Sequence, residues 1–201
     1  MSDIPARNKR QLTRQAILSF AEYAAIRREQ RRHITEIKRQ RRVEVGPFAT
    51  FYFENYDTMR HQVQEMLHIE KGGESQIGDE VAAYNPLIPQ GAELVATVMF
   101  EIDDPTRRAA MLARLGGIEH HVFLDVAGER TRGGADPTRE NTSPEGKASS
   151  VQFIRFPFTE RQIVQFKTPG ARVIAGFDHP SYEHMAVLPE PVRVALATDF
   201  D

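Results

Sequence analysis

The sequence predicts an α+β fold: a mainly antiparallel sheet covered on one face by helices, with long helices at the N-terminus. Three observations carry this. Helix-compatible residues run almost unbroken from Thr13 to about Arg42. Runs rich in β-branched and aromatic residues cluster in the middle and far half of the chain. Gly, Pro and Asn punctuate those runs as turn formers.

Within residues 13–42, Ile17, Phe20, Ala21 and Ala24 recur at core spacing, which predicts one or two helices. Gly46-Pro47 marks a turn, and "FATFYFE" (48–54) is a strand-like run. A polar helix follows, "FENYDTMRHQVQEMLHIE" (53–70), with Asp57 or Thr58 as its cap and the glycine pair 72–73 as its stop. "IGDEVAAYNPLIP" (77–89) reads as a short helix stopped at Asn85-Pro86. "ELVATVMFEI" (93–102) is a buried strand. Residues 104–117 form a helix with Asp104 at the cap, Pro105 in the first turn and Gly116-Gly117 at the exit.

"HHVFLDVAG" (120–128) and "SVQFIRFPF" (150–158) are further strands. The polar stretch between them, about 127–148, reads as a mobile hairpin tip. "TERQIVQFK" (159–167) is a short helix and "ARVIAGFDHP" (171–180) a strand, while "PEPVRVALATDF" (189–200) fits either. One continuous domain is expected: a basic helical arm over 1–45 leads into an α+β body over 46–201.

Composition narrows the chemistry. The chain of 201 residues contains no Cys, which excludes a disulfide framework, a thiolate zinc site, a cysteine nucleophile and an iron–sulfur cluster on its own thiolates. No apolar run reaches the roughly 18 residues of a membrane span, and the first residues lack a signal-peptide pattern, so a cytoplasmic protein is expected. The net charge of −2 hides a split: residues 1–45 carry 12 Lys/Arg against 5 Asp/Glu, and the remainder 14 against 23. The basic run "RREQRRHITEIKRQRR" (27–42) suits a partner-facing helix; nucleic acid is the alternative, although no aromatic interleaves the charge as a stacking platform.

On the polar helix, steps of 100° separate two faces. Met59, Val63, Met66 and Leu67 form a core stripe; His61, Glu65 and His68 share the opposite side, and Asp57, Arg60 and Gln64 line an edge. The second face has two readings. It is a wet surface, or it looks into a cleft where His120, His121, Asp178, His179, Tyr182 or His184 complete a site. A His/carboxylate set would suit iron, manganese or zinc, and a metal-free acid–base site would use some of the same groups. Two structural accounts stand beside these: Asn55 bonds backbone donors at the helix start while Glu54 pairs with Arg60, and Asn85 is a turn former before Pro86.

"KRQRRVEVGP", "FENYDTMRHQVQEMLHIE", "YNPLIP", "ELVATVMFEI" and "DHPSYEH", in this order, resemble an uncharacterised bacterial family, domain-of-unknown-function family 3501. The resemblance spans nearly the whole chain and is weakest at 127–148. It singles out Glu54, Asn55, Asp57, Arg60, Gln64, Glu65 and Glu70, then Tyr84, Asn85 and Pro86, then Asp178, His179, Pro180 and Tyr182. His61 and His68 depart from the pattern, which shifts weight from a metal triad to a polar pocket or interface. The resemblance also implies peroxide or redox physiology, with a rubrerythrin-like or iron–sulfur protein as partner. The expected function is therefore an accessory protein docking such a partner, as a monomer or a homodimer. The site expectation is that Asn55, Arg60 and Glu65 share a concave pocket with Asp178-His179.

Overall fold

The computed structural model describes residues 10–71 and 73–201; residues 1–9 of the expected basic arm, and Gly72 of the expected helix stop, lie outside them. The fold is α+β, and its strands divide into two antiparallel sheets. Strands β1 (Arg42–Val45), β2 (Ala49–Phe53) and β3 (Glu93–Phe100) combine with β6 (Gly134–Ala135) and β7 (Val151–Pro157) in the order β1-β2-β3-β7-β6. Strands β4 (Val122–Val126), β5 (Glu129–Arg132), β8 (Val173–His179) and β9 (Tyr182–Val187) form the second sheet, ordered β5-β4-β8-β9.

Period-2 alternation builds the sandwich. Phe51, Phe53, Leu94, Ala96, Val98, Ile154 and Phe156 point inward from the first sheet and meet Val122, Leu124, Ala175, Phe177 and Tyr182 from the second. β1 lies against β9 and β5 against β7, so the sheets meet along both edges. The Tyr182 hydroxyl stitches one of these meetings. It donates to the Val45 carbonyl at 2.8 Å and accepts from the Phe48 and Ala49 amides at 3.0 Å each.

Helices α4 (Pro105–Leu112), α5 (Glu160–Lys167) and α6 (Glu190–Ala197) add Leu112, Phe166, Val192 and Leu196 to this core. The C-terminal segment that fitted either structure is thus a helix, started by Pro189 and Pro191. Asp104 caps α4 as expected, with its side chain accepting from the Arg107 amide at 2.6 Å.

A second apolar cluster lies on the outer face of the first sheet. Val95 of β3 meets Tyr56, Met59, Val63 and Leu67 of α2 (Tyr56–Ile69), Ile77 of α3 (Glu74–Tyr84), and Leu12 and Ile17 of the leading segment. That segment is not helical throughout: a 3₁₀ turn at Arg14–Ala16 precedes α1 (Phe20–Arg39), and α1 stops before the expected Arg42 because Arg42 opens β1. Only Tyr23 and Ile34 of α1 are buried. The stretch expected as a mobile hairpin tip begins with paired strands, β5 and β6, and carries a further bridge between Thr142 and Ala148. No helix among the described residues is long and apolar enough to cross a membrane.

Candidate functional site

Helix α2 begins on a reciprocal cap: the Asn55 side chain accepts from the Thr58 amide at 3.0 Å, and the Thr58 hydroxyl accepts from the Asn55 amide at 2.9 Å. Asn55, rather than Asp57 or Thr58, is therefore the cap residue. Glu54 does not pair with Arg60. Its buried carboxylate accepts from the Thr58 and Thr97 hydroxyls at 2.6 and 2.7 Å.

The polar face of α2 is mostly covered, with His68 at its end reaching an open groove. It is the seam on which α1 lies, antiparallel, at positions 23, 27, 30, 34 and 37, alternately four and three residues apart. Tyr23 donates to Glu65 at 2.6 Å, and Arg27 grips both carboxylate oxygens of Glu65 at 2.8 Å. The Arg27 guanidinium, assisted by Tyr23, holds the Glu65 carboxyl down at about 2. Burial lowers His61, whose Nδ1 lies 3.4 Å from the Tyr23 hydroxyl, and raises Tyr23 itself. The His68 ring stacks on Phe20 at 4.8 Å.

The edge residues hold the chain that leads into α1. Asn85 pairs with Leu12 as a second backbone would: its carbonyl accepts from the Leu12 amide at 2.7 Å and its amide donates to the Leu12 carbonyl at 3.0 Å. Gln64 does the same at Leu18, accepting at 2.6 Å and donating at 3.4 Å. Between them Arg60 donates to the Ala16 carbonyl at 2.8 Å. Two carboxamides and a guanidinium thus clamp residues 12–18, with Leu12 and Ile17 as buried anchors. Tyr84 packs beside this cluster, and Asp57 and Asn55 line a small cleft of about 190 Å³ with Arg10 and Asp199.

Asp178 and His179 lie elsewhere, on β8 in the second sheet. Arg132 is bidentate to Asp178 at 2.6 and 2.5 Å, with Arg130 and His121 at 3.1 Å; Arg132 above all holds the carboxyl at about 2. His179 is buried, accepting from the Ser181 amide at 3.1 Å with its other nitrogen 3.3 Å from the Gly116 carbonyl. His184 packs edge-on to Tyr182 at 4.5 Å.

Among the described residues, Asn55, Arg60 and Glu65 of the expected common pocket share no hydrogen-bond partner with Asp178 or His179, which lie on β8 of the second sheet. Nor do His61, Glu65, His68, His179 and His184 converge. Among the described residues, no three His, Asp or Glu side chains come together as a metal set. The physical reason is that arginines claim the carboxylates first, Arg27 for Glu65 and Arg132 for Asp178. The sequence reading missed both pairings, since Arg132 sat in the supposed loop and Arg27 in the basic run.

What the clamps present is the outer side of α1. Arg27, Arg28, Arg31, Arg32 and Thr35, with His68 of α2, line an open groove along the helix. The side chains of Arg28, Arg31 and Arg32 form no hydrogen bond or ion pair with a described residue and are exposed.

A structure titled as a novel protein of unknown function from Burkholderia pseudomallei shares 39% identity with this chain. The match covers 95% of this chain and 100% of that one, with a TM-score of 0.88. No curated protein gives a match. A family model described as "Protein of unknown function (DUF3501)" matches residues 11–200, and the chain belongs to that family.

Proposed function

We propose that this protein is an accessory docking module that presents α1 to the acidic surface of a redox partner, an iron–sulfur or rubrerythrin-like diiron protein. One observation carries the docking half. α1 is fixed from inside by Tyr23, Arg27 and Ile34, while the side chains of Arg28, Arg31 and Arg32, on the outside, pair with none of the described residues. Guanidiniums without internal partners on a held helix favour encounter with a complementary charged surface. Support for the redox half is the family resemblance, together with a chain that lacks thiolates for a cluster of its own.

The two halves are tested together with full-length protein in its native host. The triple variant Arg28→Glu, Arg31→Glu, Arg32→Glu is expected to lose the partners that the wild type captures, and added salt is expected to release them. Equal recovery by the variant removes α1 as the docking surface. Recovered partners without iron remove the redox assignment. Tight, salt-dependent binding of a single-stranded oligonucleotide, abolished by the same variant, would replace the protein partner with nucleic acid.

A further inference from the structure

A cleft of about 670 Å³, inside the range of small-molecule sites, lies far along the chain from α1, on the outer face of the first sheet. It exists because the chain crosses between sheets at Gly133. A Cβ there would come within 2.3 Å of Ile154, 2.8 Å of Val122 and 2.9 Å of Phe156, so only glycine fits against the core. The crossing lays residues 132–138 opposite Pro86-Leu87, with Val95 and Phe153 between them as an apolar floor.

Cations frame that floor. Arg132 and Arg155 line the cleft, and Arg139 lies 4.3 Å from the centre of the Phe153 ring. Arg155 pairs with Glu93 and Arg139 with Asp136, while the Arg132 guanidinium is held by Asp178 on the second sheet. Arg155 spends its terminal nitrogens on Glu93 and the Pro86 carbonyl; its Nε–H has no acceptor among the described residues. We propose that this cleft binds a small organic monocarboxylate: one anionic head for the spare Arg155 donor, and a hydrocarbon or aromatic body over Val95 and Phe153. With one spare donor a single carboxylate suffices, and a body-less anion would leave the floor empty.

The test is a titration of isotope-labelled full-length protein followed by amide shifts. Octanoate and 1-naphthoate are the probes, with 1-octanol as the neutral control and inorganic phosphate as the body-less anion. Expected are saturable shifts at Gly133, Gly134 and Phe153 with both acids, about tenfold weaker binding of the alcohol, and none of phosphate. Arg155→Gln is expected to weaken the acids about tenfold and leave the alcohol unchanged. Because Arg155 also holds Glu93 and Pro86, a second variant, Gly134→Leu, guards against misfolding. A Cβ at Gly134 meets nothing closer than the Arg155 carbonyl at 3.9 Å, so the fold is expected to survive while the cleft is blocked. The proposal is overturned by no saturable shift at millimolar acid, by phosphate or alcohol binding as tightly as the acids, or by wild-type affinity in folded Gly134→Leu.

Discussion

Tyr182 shows how one hydroxyl can decide a junction. It is 2% exposed and serves two amides and a carbonyl where β1 turns into β2 against β9. Tyr182→Phe leaves those backbone groups unpaired in a dry place, and a loss of about 1–3 kcal/mol is expected. The check is a lower denaturant midpoint at unchanged slope, with the half-buried Tyr52→Phe as the comparison that moves little. Gly133 makes a similar point through space rather than hydrogen bonding. Gly133→Ala should destabilise by about 1–3 kcal/mol through overpacking against Ile154 and Val122, whereas Gly134→Ala should change stability by less than about 0.5 kcal/mol. Equal effects at the two glycines would disprove the crossing argument. These roles were only partly legible. Tyr182 and Asp178 stood out as residues worth explaining, but the sequence does not say that Tyr182 reaches a turn more than 130 positions earlier.

At the scale of elements, α1 is the exception in a well-packed molecule. Twenty residues rest on α2 through two buried side chains and the Arg27–Glu65 pair, although a capping box at Ser19 starts the helix well. Ile34→Asp places a charge in that seam. The expected result is fast hydrogen exchange and proteolysis confined to α1, with the sandwich amides still protected. Loss of protection throughout would show α1 to be integral to the sandwich core. Periodicity located α2 and put Met59, Val63 and Leu67 in the core, although Met66 of the same stripe is only half-buried and the edge residue Gln64 is buried. It left open whether the second face meets water, a ligand or another helix, because 3.6-residue spacing reports the amphipathicity of one helix and not the identity of its neighbour.

The whole molecule has two apolar clusters sharing the first sheet, and its acid stability is expected to follow from carboxylates on both sides of it. Glu65 and Asp178 are both held at about 2, below their ordinary values, by Arg27 and Arg132 respectively. A depressed folded-state value means stability present above the unfolded value and lost as pH falls. The window therefore runs from about pH 4.5 down to about pH 2. Asp199, beside Arg41, has the opposite sign: burial pushes its carboxyl up, so its contribution is lost as pH rises. Chemical denaturation across that window should show a flatter acid limb in the double variant Glu65→Gln, Asp178→Asn than in the wild type. A parallel decline in both proteins would mean that these two pairs do not govern acid unfolding.

The sequence by itself determined the α+β class, a helix within 53–70, a helix opening at Pro105 that ends at Leu112 rather than at the expected 117, strands within 93–102 and 150–158, and the absence of cysteine thiolates. Those follow from local period, caps and composition, which neighbouring residues set among themselves. Tertiary structure alone decided the division into two sheets and the partners of the polar residues. Asn85 finds Leu12 at a separation of 73 residues, Gln64 finds Leu18 at 46 and Arg132 finds Asp178 at 46. A carboxamide or a carboxylate has the same sequence signature whether it holds a ligand or the chain's own backbone. Only the packing of distant segments reveals which of the two it meets.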